Sequence, residues 1–283
     1  MEFRKTSNKS LSLFILLPSA FRGVIVELDI NGKKIWVKED ETLNAHYESV
    51  QKGEWEPDTF HIFDAFLDEN HSYFDIGAWI GVTSLYGSSI AKKCYAFEPD
   101  PIACEKFIDN LTLNPKLSDK INLSRCAISH NIGEAVLGSI TSEVGGDSNS
   151  SLLFKKGRVN WTVKTTTLQA FIQDNSISDF NFIKMDIEGA ERYVLPFMST
   201  FLETYKPTLF VALHPLYYGP DFPKVARDLI QVLKSYKHVF ISHGEELELS
   251  SLQRIRAFYE IVATDTPIEA LKDGVWKKKI KLL

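Results

Sequence analysis

Three acids follow an apolar run in the segment FIKMDIEGAE, residues 182–191: Asp186, Glu188 and Glu191. The run before them has the composition of a buried strand. A carboxylate that is buried there without a partner costs several kcal/mol or gives up its charge. These acids therefore need a ligand, a cation or a proton, and carboxylates in such a place can orient a substrate, accept a proton or bind a metal ion.

The spacing of these acids divides them between two roles. Residues two apart on an extended strand point to the same side, so Asp186 and Glu188 are expected to face a ligand cavity together. Gly189 lets the chain turn, and Glu191 then falls in the first turn of the next helix, where a negative charge is favoured by about 0.3 to 1 kcal/mol. Glu191 is therefore interpreted mainly as a helix-start residue.

A histidine, His214, ends the next apolar run, TLFVALH. Its unperturbed pKa makes it the side chain best suited to take a proton near neutral pH. Asp186, Glu188 and His214 are thus the predicted catalytic residues, with Asp186 at the reacting centre and the other two on the acceptor. We expect no metal, but the same three side chains are the alternative site for a divalent cation that would acidify a substrate hydroxyl. A purely structural histidine is the other alternative.

Turn glycines and a second acid mark the other half of the predicted site. Asp75 lies near the end of an apolar run, and Gly77 and Gly81 follow it. The G-x-x-x-G spacing differs from the G-x-G-x-x-G of a dinucleotide-binding loop. Glu98 ends the next run, where an acid can accept hydrogen bonds from both ribose hydroxyls. Together these residues predict an adenosine ligand without a diphosphate.

The elements that must position these residues alternate along the chain. From residue 71 onward, short apolar runs alternate with helical patterns, which is typical of an α/β fold whose doubly wound, mostly parallel sheet is covered by helices on both faces. Its predicted strands are the seven runs 72–76, 93–97, 121–125, 181–187, 208–214, 238–242 and 257–264. The last run follows no clear crossover helix, so we expect it to be antiparallel.

Turn signals predict two further β elements. Asn31-Gly32 between two alternating runs predicts a tight N-terminal hairpin, which a helical lead-in with the sequence GEWEPDTFHIFDAFL follows. We divide the chain accordingly into a unit of residues 1–70, packed on the core, and a core domain of residues 71–283. A Gly/Ser-rich stretch, 141–151, predicts an inserted β-hairpin with a mobile tip.

Composition and charge bound the remaining properties. The chain has 283 residues, of which 44% are hydrophobic, and its net charge of -5 argues against a chain-wide cationic surface for nucleic acid. Cys94, Cys104 and Cys126 leave one thiol over in any disulfide scheme, so we expect core cysteines and a cytoplasmic protein. No apolar run reaches the roughly 18 residues of a membrane span. The early run LSLFILL is expected to be structural rather than a secretory signal, and the basic tail VWKKKIKLL a solvated end strand or frayed end.

Five motifs carry a family resemblance: FDIGAWIG, AFEPDP, CAIS, TTTLQAFI and NFIKMDIEGAERYVL. In that order, over roughly residues 54–215, they resemble the FkbM-type family of S-adenosylmethionine-dependent methyltransferases. The resemblance implies a class I methyltransferase fold, which is Rossmann-like, and S-adenosylmethionine as the cofactor. It also implies these cofactor contacts: Asp75, Gly77 and Gly81 at the methionine end, Ala78 in the same turn, Glu98 at the ribose and the backbone near Ala127 at the adenine.

The activity that the resemblance implies is O-methylation of a hydroxyl on a sugar, a glycan or a glycosylated natural product. The alternatives are N- or carboxyl-methylation on the same fold and a non-catalytic cofactor-binding module. Family members often have an acid two positions before the histidine, where this chain has Ala212. Trp79 is a candidate for the wall of the site. Glu56, in the loop ahead of the sheet, is expected to be a solvated acid, and contact with the cofactor or the substrate is the alternative.

Overall fold

The computed structural model describes residues 24–281, so the expectation for the run LSLFILL lies outside the described residues. Their strands are β1 (Ile25–Ile30), β2 (Lys33–Lys38), β3 (Ser72–Ile76), β4 (Lys93–Phe97), β5 (Ile121–Ser124), β6 (Ala127–Ile128), β7 (Gly133–Ser139), β8 (Ser150–Ser151), β9 (Val159–Thr166), β10 (Phe180–Met185), β11 (Thr208–Leu213), β12 (His238–Ile241) and β13 (Tyr259–Thr264).

The helices are α1 (Asn44–Gln51), α2 (Pro57–Phe66), α3 (Val82–Ser88), α4 (Pro101–Leu113), α5 (Pro115–Ser118), α6 (Leu168–Asp174), α7 (Glu191–Phe197), α8 (Ser199–Tyr205), α9 (Phe222–Leu233) and α10 (Val275–Lys281). Among residues 24–281, no helix combines the length and the apolarity that a membrane span requires.

Seven strands form the central sheet, in the order β12-β13-β11-β10-β3-β4-β5. The pairs from β11 to β5 are parallel, whereas β13 is antiparallel to both β11 and β12. The predicted mostly parallel sheet and its antiparallel last strand are therefore confirmed. The order reverses between β3 and β10, and the crevice at the carboxyl ends of such neighbouring strands is where open α/β sheets bind ligands.

Helices cover both faces of this sheet, and each face has its own apolar core. Every residue of β3 and of β11 is buried, as strands covered on both faces must be. On one face Phe74 packs with apolar residues of α7, α8 and α9. On the other face Tyr73 and Phe182 pack with Phe63 of α2 and Leu28 of β1. The N-terminal elements thus share a core with the sheet, and the domain boundary at residue 70 stays a prediction.

The strand that carries the opening acids ends earlier than the sequence predicted. β10 stops at Met185, and the chain then turns, with left-handed φ angles of 53° at Glu188 and 92° at Gly189. The alternation expected for Asp186 and Glu188 therefore does not apply. Turn geometry, and not strand periodicity, decides where these two side chains point.

Both predicted hairpins are present. The N-terminal one turns at Asn31 and Gly32, whose φ angles are 50° and 80°, as a two-residue hairpin turn requires. The inserted one pairs β7 with β9, and β6 and β8 extend it to a four-stranded sheet in the order β6-β9-β7-β8. The insertion is therefore larger than a hairpin.

The expectation for the basic tail is wrong, because residues 275–281 form α10. Trp276 is fully buried against Phe66 of α2, with 5.1 Å between the ring centroids. Its indole nitrogen donates a 2.6 Å hydrogen bond to the carbonyl oxygen of Ser242. Trp276 and Ile280 are four residues apart, so a helix turns both towards the core, while of the lysines between them Lys278 is exposed and Lys277 is buried.

Candidate active site

A cavity of about 360 Å³ opens at the carboxyl ends of β3, β4, β10 and β11. Its volume falls within the usual range for small-molecule sites. It brings together seven of the nine predicted site residues, namely Gly77, Ala78, Glu98, Ala127, Asp186, Glu188 and His214. Asp75 and Gly81 do not line it.

Gly77 shapes the turn that separates the two halves of the cavity. Its φ is 82°, and a Cβ atom at this position would lie 1.7 Å from the backbone carbonyl oxygen of Asp186. The N–H of Asp186 donates a 2.9 Å hydrogen bond to the carbonyl oxygen of Ile76. The end of β10 and the turn after β3 therefore approach so closely that only glycine fits at position 77.

Glu98 lies at the end of β4 with its carboxylate fixed by the backbone. One oxygen accepts a 2.8 Å hydrogen bond from the N–H of Trp79, and the other accepts one of 2.8 Å from the N–H of Asp100. Burial raises the pKa of Glu98 to about 8. Each carboxylate oxygen keeps a second lone pair, so the group can still accept from two hydroxyls of a ligand in the cavity.

Asp75 lies behind the cavity wall, not on it. Its fully buried carboxylate accepts hydrogen bonds from the hydroxyls of Thr83 (2.9 Å) and Ser84 (2.6 Å) of α3. The ammonium group of Lys184 lies 3.3 Å from it and donates a 3.2 Å hydrogen bond to the carbonyl oxygen of Gly77. Asp75 thus holds α3 and Lys184 against the turn, and direct contact with a cofactor stays a prediction.

The other residues assigned to the cofactor differ in their surroundings. Gly81 has a φ of 85°, and a Cβ atom there would meet the ring of Phe107 at 2.1 Å, so helix packing accounts for this glycine. Ala78 and Ala127 line the cavity beside Cys126. The expectation that the cysteines are core residues is confirmed for Cys94 and Cys104, which are buried. Cys126 is half-buried and borders the cavity.

His214 lies at the centre of a cluster of three acids in the other half of the cavity. Its Nε2 atom is 3.4 Å from Glu188 Oε2 and 3.7 Å from Asp186 Oδ1. Its Nδ1 atom is 3.4 Å from Glu191 Oε1. The ring is buried, so these carboxylates define its environment.

The acids change the protonation expected for this cluster. Burial alone would lower the pKa of His214, but the contact with Glu191 and the charges of Glu191, Asp186 and Glu188 raise it to about 9. Burial also raises the pKa of Glu188 to about 8, with the charges of Asp186 and Glu191 adding to the rise and His214 opposing it. These contacts therefore favour the imidazolium form, whereas the unperturbed pKa predicted a group that titrates near neutral pH.

Glu191 is more than the helix-start residue that its position predicted. It is the first residue of α7, but its fully buried side chain turns back, and Oε1 accepts a 2.9 Å hydrogen bond from the N–H of Ile187. The sequence interpretation assigned the cavity to Asp186 and Glu188 and missed its contact with His214. The available sequence signal for this contact was the spacing of Glu191, three residues after Glu188 at the start of a helix.

The metal alternative acquires a different set of ligands. Donor atoms of Asp186, Glu191 and His214 all lie within 4.8 Å of one another, so Glu191 takes the place predicted for Glu188. In the described part of the chain, Asp186 Oδ1, Glu191 Oε2 and His214 Nδ1 are buried without a hydrogen-bond partner. These atoms fit either of two states of the site. In one they bind a divalent cation, which requires a neutral histidine, and in the other the imidazole is protonated and no cation binds.

Glu56, before α2, lines the cavity and forms a pair with Glu260 on β13, which is not a lining residue. The Thr59 hydroxyl lies 3.1 Å from Glu56 Oε2 and 3.5 Å from Glu260 Oε1. Burial, followed by the charges of Glu260 and Asp186, raises the pKa of Glu56 to about 8. Burial and Asp186 raise the pKa of Glu260 to about 7. The solvated acid expected at position 56 is wrong, and Glu260 was missed because no local pattern marks a contact across 201 residues.

The loop of the inserted hairpin covers the cavity next to Trp79. Residues 147–152 line the cavity, and Trp79 lines it too, as expected for a wall. The indole nitrogen of Trp79 donates a 3.0 Å hydrogen bond to the carbonyl oxygen of Gly146. Asp100, which the sequence interpretation did not single out, binds the same loop. The mobility of the tip stays a prediction.

Comparison with known proteins adds a family match. The model of the methyltransferase FkbM domain matches residues 75–240. No protein with a curated description matches the chain. A methyltransferase FkbM structure from Methylobacillus flagellatus has 18% identity and a TM-score of 0.45, covering 80% of this chain and 55% of that one, so the chain spans about half the length of that relative.

Two other solved structures have weaker likenesses. A precorrin-6y C5,15-methyltransferase from Geobacter metallireducens has 11% identity and a TM-score of 0.39, covering 73% of this chain and 86% of that one. A Streptococcus mutans protein described as a candidate methyltransferase in complex with SAH has 15% identity and a TM-score of 0.38, covering 72% and 94%. The family assignment rests on the match over residues 75–240.

Proposed function

The chain belongs to the FkbM family of S-adenosylmethionine-dependent methyltransferases, and from that premise we propose that it methylates a hydroxyl of a sugar, a glycan or a glycosylated natural product. The observation that carries the proposal is the contact of 3.4 Å between Glu188 and His214 in the half of the cavity away from Glu98. This arrangement offers a base to a hydroxyl that must lose its proton.

The residues of the other half fit the cofactor. Glu98 has lone pairs for the two ribose hydroxyls, and Gly77 lines the cavity at the turn assigned to the methionine end of the molecule. Ala127 and Cys126 border the space for the adenine. When bound there, S-adenosylmethionine supplies an electrophilic methyl group, and its reactive end would lie on the side of Asp186.

Glu188 is the proton acceptor in this proposal. Its carboxylate lines the cavity with 12% of the side chain exposed, and burial raises its pKa to about 8. A carboxylate with a raised pKa is a stronger base than an exposed one, and a positioned base contributes about 10² to 10⁴ in rate. His214, held as imidazolium, fixes this carboxylate in place, and Asp186 orients the reacting groups where the two halves of the cavity meet.

The lining of the acceptor half supports a polyhydroxylated substrate. Tyr217 and Phe258 provide flat apolar surfaces, and Asp147 and Asn149 of the hairpin loop provide hydrogen-bonding groups. A site for a sugar needs both, because apolar walls exclude water while a few placed polar groups fix orientation.

The test is methyl transfer from labelled S-adenosylmethionine to a panel of glycosides, followed by mass spectrometry and linkage analysis. We expect a product heavier by one methylene group with the methyl on oxygen. Glu188→Gln and Asp186→Asn should each lower turnover by about 10² or more, while Glu134→Gln, an exposed change on β7, should not. Methyl groups on nitrogen or on a carboxylate would contradict the proposal, as would a protein that binds the cofactor but transfers nothing.

A further inference from the structure

Glu260 places a carboxylate beside the position where β11 has none. Ala212 of β11 and Glu260 of β13 are direct partners in the antiparallel pair. Directly opposite residues in such a pair project to the same face, with Cβ atoms about 4.5 to 5.5 Å apart. Glu260 therefore projects its carboxylate from the face of the sheet on which Ala212 lies.

Among the described residues, the acid pair of Glu260 and Glu56 is satisfied only in part. The Thr59 hydroxyl is within hydrogen-bond distance of both carboxylates but has one proton to donate, and Ser242 is a further hydrogen-bond partner of Glu260 alone. Glu56 lines the cavity, and so does Asp186, whose Oδ1 atom is buried without a hydrogen-bond partner among the described residues. This end of the cavity therefore has free acceptors for a ligand that donates hydrogen bonds.

The nearest cation, Lys184, is already engaged. Its side chain is 95% buried, and its ammonium group lies 3.3 Å from Asp75 and donates to the carbonyl oxygen of Gly77. An ammonium group has three donors, so one remains for a ligand. Acids with free acceptors beside one buried ammonium group match a zwitterion, whose positive group meets the acids and whose carboxylate meets the lysine.

We propose that Glu56 binds the α-ammonium group at the amino-acid end of S-adenosylmethionine, that the carboxylate of Glu260 supports it from behind, and that Lys184 faces the carboxylate of the cofactor. The inference rests on the proposed function, since it takes the cofactor from there. Position supports it, because Lys184 contacts Gly77, the turn residue assigned to the methionine end, while Glu98 and Ala127 lie on the ribose and adenine side. The other source of an ammonium group for these acids is an amine on the methyl acceptor.

Calorimetry with two ligands tests this assignment without turnover. S-adenosylhomocysteine carries the amino-acid end, and 5′-methylthioadenosine lacks it. We expect Glu56→Gln to weaken S-adenosylhomocysteine binding by about tenfold or more, as expected when a hydrogen bond to a charged group is lost, and Glu260→Gln to weaken it as well through the lost charge behind Glu56. The affinity for 5′-methylthioadenosine should not change, and Glu134→Gln should change neither. Equal losses for both ligands, or no loss for either, would overturn the assignment.

Moving the acid from position 260 to its partner position 212 on β11 tests the role of Glu260 itself. Glu260→Ala should lose affinity for S-adenosylhomocysteine, and adding Ala212→Glu should restore most of it. If this double variant does not fold, the comparison of Glu260→Gln with Glu260→Asp in the same titrations decides, because a shortened carboxylate should recover part of the loss. If these substitutions raise only the KM of an acceptor that carries an amine and leave cofactor affinity unchanged, the acids bind that amine and the inference is wrong. Wild-type protein that binds neither adenosine compound would refute the proposed function itself.

Discussion

The carboxylate of Asp100 accepts a 2.9 Å hydrogen bond from the backbone N–H of Gly146 and thereby joins the start of α4 to the loop of the inserted hairpin. The same oxygen accepts a 3.0 Å bond from the hydroxyl of Ser150. The other oxygen caps α4 by accepting from the N–H of Ile102 at 2.8 Å. One side chain thus fixes a helix that begins beside Glu98 and the loop that covers the cavity.

Replacing Asp100 should separate these two tasks. Asparagine keeps one oxygen for the cap but offers an amide to the loop, so Asp100→Asn should speed hydrogen exchange in residues 141–151 with little loss of stability. Asp100→Ala should also lower the free energy of unfolding by about 0.5 to 2 kcal/mol, the usual cost of losing such a cap. Unchanged exchange in Asp100→Asn, measured by mass spectrometry, would show that this contact does not hold the loop.

Glu98→Ala should weaken S-adenosylhomocysteine binding. Hydrogen bonds to a charged acceptor contribute about 1.5 to 3 kcal/mol each, and two ribose hydroxyls would lose their partner. Titration calorimetry measures the effect, with the exposed Glu203→Gln as the matched control. Wild-type affinity in a folded Glu98→Ala protein would remove Glu98 from the site.

Glu191→Gln should lower the pKa of His214 from about 9 towards its ordinary value, because Glu191 makes the contact that most opposes the effect of burial. Titration of the imidazole by NMR measures this directly. Glu203→Gln, on the exposed side of α8, should leave it unchanged. A pKa that stays near 9 in Glu191→Gln would assign the shift to Asp186 and Glu188 instead.

The same histidine should make stability depend on pH. Its pKa is higher in the folded protein than in the unfolded chain, so its contribution is fully present below about pH 6.5. It is lost as pH rises through about 9. Urea unfolding at pH 6.5 and pH 9.5 should therefore show a larger loss of stability for the wild type than for His214→Gln. Equal losses in the two proteins would mean that His214 is not charged when folded.

Excess chelator should leave the activity intact if the cluster holds a proton instead of a metal. The acids around His214 favour its charged form, and a charged imidazole cannot ligate a cation. Activity is compared before and after dialysis against EDTA, with Mg²⁺, Mn²⁺ and Zn²⁺ added back. Loss that one of these ions restores would instead assign Asp186, Glu191 and His214 to a metal site.

The sheet and several cavity-lining residues were predictable, because buried parallel strands appear in the sequence as short apolar runs that end at the cavity. Local patterns placed Gly77, Glu98 and His214 at strand ends, and the sheet brings those ends to one cavity. They could not place the side chain of Glu191, because the return of its carboxylate depends on a turn with a left-handed residue at Glu188.

Local sequence patterns could not predict contacts between distant parts of the chain. Glu260 faces Glu56 only because β13 enters the sheet antiparallel next to β11, which fixes the register opposite Ala212. The tail was misinterpreted for a related reason. Its lysines suggested solvent exposure. The burial of Trp276 depends instead on packing against Phe66, which is far away in the sequence and leaves no local signal.

The packing of α10 on α2 also bears on the order in which the protein folds. Trp276 completes the core around Phe66, and Glu260 reaches Thr59 across 201 residues. The strands β3 and β4 are close in sequence, whereas the pairing of β11 with β13 that brings Glu260 to Thr59 joins parts of the chain that are far from the lead-in helix α2. The surroundings of Glu56 should therefore form late in folding, because contacts that close long loops form slowly.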